Sequence, residues 1–98
     1  MEIEEDDFDL KIEMREGAII SDARGGGYNV NWSDRHLTRT SDFDKALKAV
    51  AEKMEKDHYF PNVFYVNDHG NVDLLAVKLK IIKGKVVKAT SKTIRSWV

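Results

Sequence analysis

The sequence predicts an α+β domain in which one helix packs on one face of an antiparallel sheet of five to six strands. Several short stretches alternate apolar and polar residues, as half-buried strands do. One stretch instead repeats its apolar positions at helical spacing, and polar or glycine-rich turns separate the stretches. The predicted order is β-β-β-α-β-β, with a further C-terminal strand as an option.

A single domain covering residues 1–98 fits the length of 98 residues. Apolar residues make up 42% of the chain and aromatic residues 9%, enough for a small core and too much for a disordered chain. The absence of cysteine excludes a disulfide scaffold, a cysteine-ligated zinc module and a thiol enzyme. Residues 1–7 are expected to form a frayed acidic lead-in, unlike a signal peptide. A soluble cytoplasmic protein is therefore the expectation, with no membrane span.

The N-terminal half is predicted to supply three strands. From Phe8 to Met14 apolar and polar residues alternate, which predicts a half-buried strand over residues 8–15. A turn at Glu16-Gly17 would lead into a return strand over residues 18–21. A third strand is predicted over residues 28–32, after the three-glycine break, and residues 33–40 are predicted to be a loop because they are polar and aperiodic.

The predicted helix runs from about Asp42 to Asp57. Ser41 is the expected N-cap, and acids fill the first turn, where the helix dipole favours them. Apolar residues then recur at helical spacing until the chain approaches Pro61, which limits any continuation.

The C-terminal half is predicted to form a long hairpin. Residues 63–66 form a strand by content, and residues 72–82 form a second strand with a bulge at the doubled apolar pair Leu74-Leu75. A three-residue loop over 82–84 would place Leu79 opposite Val87. Residues 93–98 are the optional last strand.

Charge is segregated between the two ends of the chain. Residues 1–16 carry a net charge of −6, whereas residues 74–98 carry seven bases and no acid. Either the two ends pair within one fold, or a charged surface binds a partner.

The lysine-rich hairpin is the first candidate binding surface. The predicted register places Lys78, Lys80 and Lys88 on one sheet face, and Lys85 lies near the turn. Such a face suits a phosphate backbone, but edge lysines also protect against aggregation or pair with an acidic strand. Trp32 and Trp97 are added because their positions near strand ends predict partial exposure. The expected acidic surface is a solubilising tail or a phosphate mimic, and it comprises Glu4, Glu5, Asp6, Asp7 and Asp9.

The remaining motifs are weaker. The stretch from Arg24 to Gly27 resembles neither a complete phosphate loop nor a repeated RNA-binding segment, and is predicted to be a mobile connection. Of His36, His58 and His69, the last two each follow an aspartate and flank the strand over 63–66, so they could meet at a metal or act as a base and its orienting group. A position near the helix C-terminus and a polar turn explain them better, and neither a metal nor another cofactor is expected.

The function predicted from these features is that of a small, non-enzymatic interaction module. It is expected to bind a protein partner, or a second copy of itself as a homodimer, through a sheet edge and its polarised charged surfaces. The alternative is a nucleic-acid-binding protein that uses the lysine-rich hairpin.

Overall fold

The computed structural model describes residues 10–98, in which two helices and six strands form one α+β domain. Helix α1 covers residues 10–16 and helix α2 covers Phe43–Asp57. The strands are β1 Ala18–Asp22, β2 Tyr28–Trp32, β3 Arg35–Thr40, β4 Val63–Val66, β5 Val72–Ile82 and β6 Lys85–Trp97. None of the helices within residues 10–98 has the length and apolar character needed to cross a bilayer.

The six strands form one sheet in the order β3-β2-β1-β4-β5-β6. Every neighbouring pair is antiparallel except β1 and β4, which run parallel. The sheet is therefore mixed, where the sequence predicted an antiparallel one. The reason is the connection through α2, which is long enough to return the chain in the same direction beside β1.

The predicted strand over residues 8–15 is wrong, because residues 10–16 are helical. The alternating apolar residues include Leu10 and Met14, which are four positions apart and therefore share one helix face. Both are half-buried, whereas Ile12 is 43% exposed on the other side. Phe8, the first residue of the predicted pattern, lies outside the described residues. The strand over 18–21 is confirmed, but it pairs with β2 and β4 and not with a preceding strand.

The predicted loop over residues 33–40 is also wrong, because residues 35–40 form the edge strand β3. Ser33 and Asp34 both have positive φ angles, 48° and 66°, and make a two-residue hairpin turn between β2 and β3. Within β3 only Leu37 is apolar, and it packs against the core. A single apolar anchor on an edge strand leaves no alternating pattern in the sequence.

Helix α2 confirms the prediction, apart from its cap. Asp42 is the N-cap, because its Oδ1 accepts a hydrogen bond from the Lys45 backbone amide at 2.8 Å. Ser41, the expected cap, lies one residue further out. The helix ends at Asp57, and the C-cap residue His58 adopts the left-handed conformation with φ 50°.

The main core lies between α2 and one face of the sheet. Ile20, Val30 and Val63 meet Leu47 and Val50 there, all almost fully buried. Phe64 faces the opposite side of the sheet, because side chains alternate along a strand. It is also fully buried, with the Trp97 ring centroid 6.5 Å from its own.

The β5–β6 hairpin confirms the predicted long strand and its irregularity. The register shifts between Leu74 and Leu75, which lie opposite Arg95 and Thr93, so the extra residue is Ile94 on β6. The turn contains Lys83 and Gly84, both with positive φ, and is two residues long where three were expected. Strand β6 continues without interruption through residues 93–97, so the optional last strand is a continuation of β6.

The predicted register of this hairpin is wrong by two residues. Leu79 lies opposite Ala89 and not Val87. The shorter turn moves the register by one residue, and a bulge at Val87 moves it by one more. Because the total shift is even there, residues 88–93 keep their predicted faces.

Candidate functional site

Strand β6 is one of the two edges of the sheet. Within residues 10–98 it pairs only with β5, so no strand covers its outer side. It is 13 residues long, more than twice the length of an average strand. A long open edge offers backbone amide and carbonyl groups to another extended segment.

Two bulges divide this edge. Val87 and Ile94 are the extra residues on β6, and they are 47% and 58% exposed. Between them, residues 88–93 pair with β5 in a constant register. This stretch is the regular part of the edge, and an exposed β-branched side chain flanks it at either end.

A hollow runs beside the outer edge of β6. It is lined by residues 87–90 of β6 and by Asp44 and Lys48 of α2. Successive strand residues point to opposite faces, so a hollow that touches four in a row lies along the backbone edge. Helix α2 packs against β6 as well as against β2 and β3, at the far side of the sheet. The sheet therefore curves around α2, and α2 forms one wall of the hollow.

A second, larger hollow adjoins the first at the hairpin turn. It has a volume of ≈ 720 Å³ and shares Lys48 with the first hollow. Its other lining residues are Glu52, Glu55, Lys56, His58, Gly84, Lys85 and Val86. We call the two hollows together the β6 groove. The charged residues of its helix wall include both acids and bases, whereas the charged residues of its strand wall are all bases.

A row of lysines lies on the face of the sheet opposite α2, as predicted for three of them. Lys78, Lys80 and Lys88 are exposed there, and Lys92 joins them because it lies opposite Ala76 on β5. We call these four residues the lysine face. Lys80 and Lys88 lie directly opposite each other. A shallow hollow beside Thr90 is lined by Lys78, Lys80 and Lys88. No acid of residues 10–98 forms an ion pair with any of the four.

The other predicted binding residues lie elsewhere. Lys85 lines the β6 groove at the hairpin turn, where it lies opposite Ile82. Trp97 is half-buried with the Arg95 guanidinium 4.5 Å from its ring centroid, so one side of the ring is covered. The expected exposure of Trp32 is wrong. Trp32 is only 8% exposed, because its strand position points it into the core, where its ring lies nearly perpendicular to that of Tyr59.

The predicted acidic surface, Glu4 to Asp9, lies outside the described residues. Pairing between an acidic first strand and the lysine face was one of the two expected arrangements. That strand does not form over residues 10–15, and the exposed Glu13 lies in α1, where its carboxylate accepts a hydrogen bond from Asn62. Glu13 is thus directed to the loop after α2 and not to the lysine face.

The glycine-rich turn is fastened to the sheet. The Arg39 guanidinium donates to the carbonyl oxygens of Gly26 and Arg24, at 2.7 and 3.3 Å. A Cβ atom on Gly27 would lie 2.6 Å from the Thr40 carbonyl oxygen. The turn therefore presents carbonyl oxygens to a cation of its own chain, which is the opposite of a phosphate cradle.

The three histidines do not converge. His36 is on β3, His58 caps α2, and His69 lies in the β4–β5 turn with its Nε2 3.7 Å from Asp68. Within residues 10–98, no three histidine or carboxylate side chains gather as metal ligands would.

Asp22 holds the end of β1 to the β4–β5 turn. Its Oδ1 accepts a hydrogen bond from the Tyr65 hydroxyl at 2.5 Å, and its Oδ2 accepts one from the Asp68 amide at 3.1 Å. Burial of the ring raises the pKa of Tyr65 well above its usual value, and the hydrogen bond to Asp22 raises that pKa further. This cluster fastens the sheet at the end remote from the β6 groove.

Sequence reasoning found the lysine face but missed the groove beside it. The groove depends on the curvature that brings β6 against α2, for which the sequence has no local signal. Of the two bulges, the sequence predicted the one at the doubled apolar pair Leu74-Leu75. Val86-Val87, beside the other bulge, is a similar doubled pair.

The fold and the groove together define a small α+β domain with a curved mixed sheet, an open edge strand and a cationic face. No family model, no curated protein and no solved structure matches the chain.

Proposed function

We propose that this protein is a non-enzymatic protein-binding module, which binds an extended segment of its partner as an added strand along β6. The observation that carries this proposal is the hollow beside residues 87–90, because a strand placed there would reach the outer backbone groups of residues 88–93, which pair with no other strand of residues 10–98. In strand addition, main-chain hydrogen bonds supply affinity and neighbouring side chains supply specificity.

The regular stretch of β6 supports this mode of binding. Residues 88–93 provide six residues in constant register, which is about the length of an average strand. Val87 and Ile94 at its two ends offer apolar contacts that a partner segment would bury. Helix α2 supplies a wall against which every second partner side chain would pack.

A panel of four labelled nine-residue peptides tests the proposal with the full-length chain. Each has valine at every second position, and the intervening positions are all glutamate, all glutamine or all lysine. The fourth repeats the glutamate peptide with a central proline. Fluorescence anisotropy should show saturable binding of at least one of the first three. The proline peptide should bind more weakly than its parent, because proline donates no hydrogen bond.

Hydrogen exchange of the complex locates the site. The bound peptide should slow amide exchange in residues 88–93 of β6 and leave β3, the other edge strand, unchanged. Saturable binding by none of the peptides, or protection centred on another element, would rule out strand addition to β6.

The lysine face favours a second candidate function, nucleic-acid binding. Lys78, Lys80, Lys88 and Lys92 project from one exposed surface, without an ion-pair partner among residues 10–98. Such a surface would bind phosphates with strong salt dependence. A mobility shift with a 20-nucleotide RNA at low salt tests this candidate, and reversing Lys78 and Lys80 to glutamate should abolish the shift. The absence of any shift with RNA or duplex DNA would remove it.

A further inference from the structure

We infer that the partner segment in the β6 groove is an acidic strand, with aspartate or glutamate at alternate positions and small or apolar residues between them. This inference rests on the proposed function and adds the chemistry of the partner. It follows from the two rows of side chains that a strand added to β6 would meet.

The first row lies on the side of the lysine face. Lys88, Thr90 and Lys92 share this side of β6, and Lys80 and Lys78 stand behind them on β5. Side chains directly opposite each other on neighbouring strands interact, and opposite charges there are favourable. Two of the three residues of the added strand on this side would therefore lie directly opposite a cation, and the third would lie opposite Thr90, between Lys88 and Lys92.

The second row lies on the α2 side. There the added strand meets Ala89 and Ser91, with Val87 at one end of the regular stretch. The helix wall at this point carries one acid, Asp44, and one base, Lys48. A small strand surface and a wall without net charge favour small or apolar side chains in this row.

The β6 strand of a second copy is a poor occupant for the same electrostatic reason. Residues 74–98 contain seven bases and no acid, so two β6 strands side by side would bring only cations together. Like charges on neighbouring strands are destabilising. The β6 edge therefore disfavours pairing with a second β6 strand and favours pairing with an acidic strand.

The peptide panel also tests this inference, through the charge of the alternate row. The glutamate peptide should bind the full-length protein about tenfold more tightly than the glutamine peptide, since two or more exposed ion pairs together have this effect. The lysine peptide should bind least. Raising the salt concentration should narrow the difference between the three.

A reciprocal exchange of charge sharpens the test. The double substitution Lys88→Glu and Lys92→Glu should reverse the preference, so that the lysine peptide binds more tightly than the glutamate peptide. The matched control, Lys78→Glu with Lys80→Glu, changes the same number of charges one strand further away. It should keep the wild-type order of peptides with a smaller spread, because those charges lie about a Debye length from the added strand and the glutamate at position 80 partly neutralises Lys88.

The outcomes separate the two proposals. Equal binding of the glutamate and glutamine peptides, with protection of residues 88–93, would overturn the acidic partner and leave strand addition intact. Concentration-dependent dimers in sedimentation, with the same residues protected, would also overturn it in favour of a second copy. If no peptide binds, strand addition itself fails.

Discussion

The two edges of the sheet differ in how they are fastened. At the β3 edge, Arg39 ties the strand to the glycine-rich turn, and the Thr40 hydroxyl donates to the Asp42 carbonyl oxygen at 2.9 Å. The strand leads directly into α2. At the β6 edge, the strand is twice as long, its extra residues are exposed, and a groove follows its outer side.

This difference separates stability from binding. Contacts at the β3 end join elements distant in sequence, so their loss should reduce the free energy of unfolding. Charged side chains on the β5–β6 hairpin have few such contacts within residues 10–98, so changing them should alter binding much more than stability. The following predictions test that separation, from the largest expected effect to the smallest.

Gly27→Ala should cost the most stability, about 3 kcal/mol, because it combines a strained backbone with a collision. The residue has φ +78°, and the new Cβ would lie 2.6 Å from the Thr40 carbonyl oxygen at the end of β3. Urea denaturation measures the effect. Gly25→Ala is the matched control, because Gly25 has φ +85° and open space around it. Equal losses for both variants would show that the close approach to β3 is unimportant.

Tyr65→Phe should flatten the decline of stability at alkaline pH. The pKa of Tyr65 is raised in the folded state, from a usual value of 10.0. The stability it contributes is therefore complete below pH 10 and is lost as pH rises above that value. Between pH 10 and pH 11 the wild-type protein should lose about 1 kcal/mol more unfolding free energy than Tyr65→Phe, after allowance for solvent screening of a half-buried ring. Tyr59→Phe is the control, and parallel pH profiles for the two variants would contradict the prediction.

Arg39→Ala should cost about 1 kcal/mol of unfolding free energy, because two hydrogen bonds from a charged group are lost. Both run to carbonyl oxygens of the glycine-rich turn. Peptide binding at β6 should be unchanged in the folded variant. A loss of peptide binding would mean that the two edges are coupled through the sheet.

Lys80→Glu should raise stability slightly, by about 0.5 kcal/mol, because it replaces a like-charge pair across the hairpin with an opposite-charge pair. Lys80 lies directly opposite Lys88, whereas Lys78 lies opposite Thr90. Lys78→Glu therefore serves as the control and should gain less. Thermal denaturation at low salt and in 1 M salt should show the gain fading as charges are screened. A gain that persists in high salt would point to a cause other than charge.

The parts of the fold that were predicted well have strong local patterns. Helix α2 and strands β4 and β5 combine apolar periodicity with clear boundaries, and their predicted limits agree with the structure to within a residue or two. The face shared by Lys78, Lys80 and Lys88 was predicted despite a wrong register, because an even shift preserves the face.

The parts that were predicted badly have short or ambiguous patterns. Leu10, Ile12 and Met14 alternate as they would in a strand, but Leu10 and Met14 also share one face of a short helix, so alternation alone could not distinguish the two structures. Strand β3 has one apolar residue, so its pairing with β2, and not an apolar pattern in its sequence, establishes it as a strand. Trp32 was expected near the surface because it lies at a strand end, but its face of the sheet decides its burial.

The sequence by itself determined the single long helix, the cationic hairpin and the alternation that places its lysines on one face, because these depend on neighbours within a few residues. Only the tertiary structure decided the parallel pairing of β1 with β4, the burial of Trp32 and the groove beside β6. Those features depend on how the sheet curves around α2, which brings together residues 40 or more positions apart, such as Lys48 and Lys88.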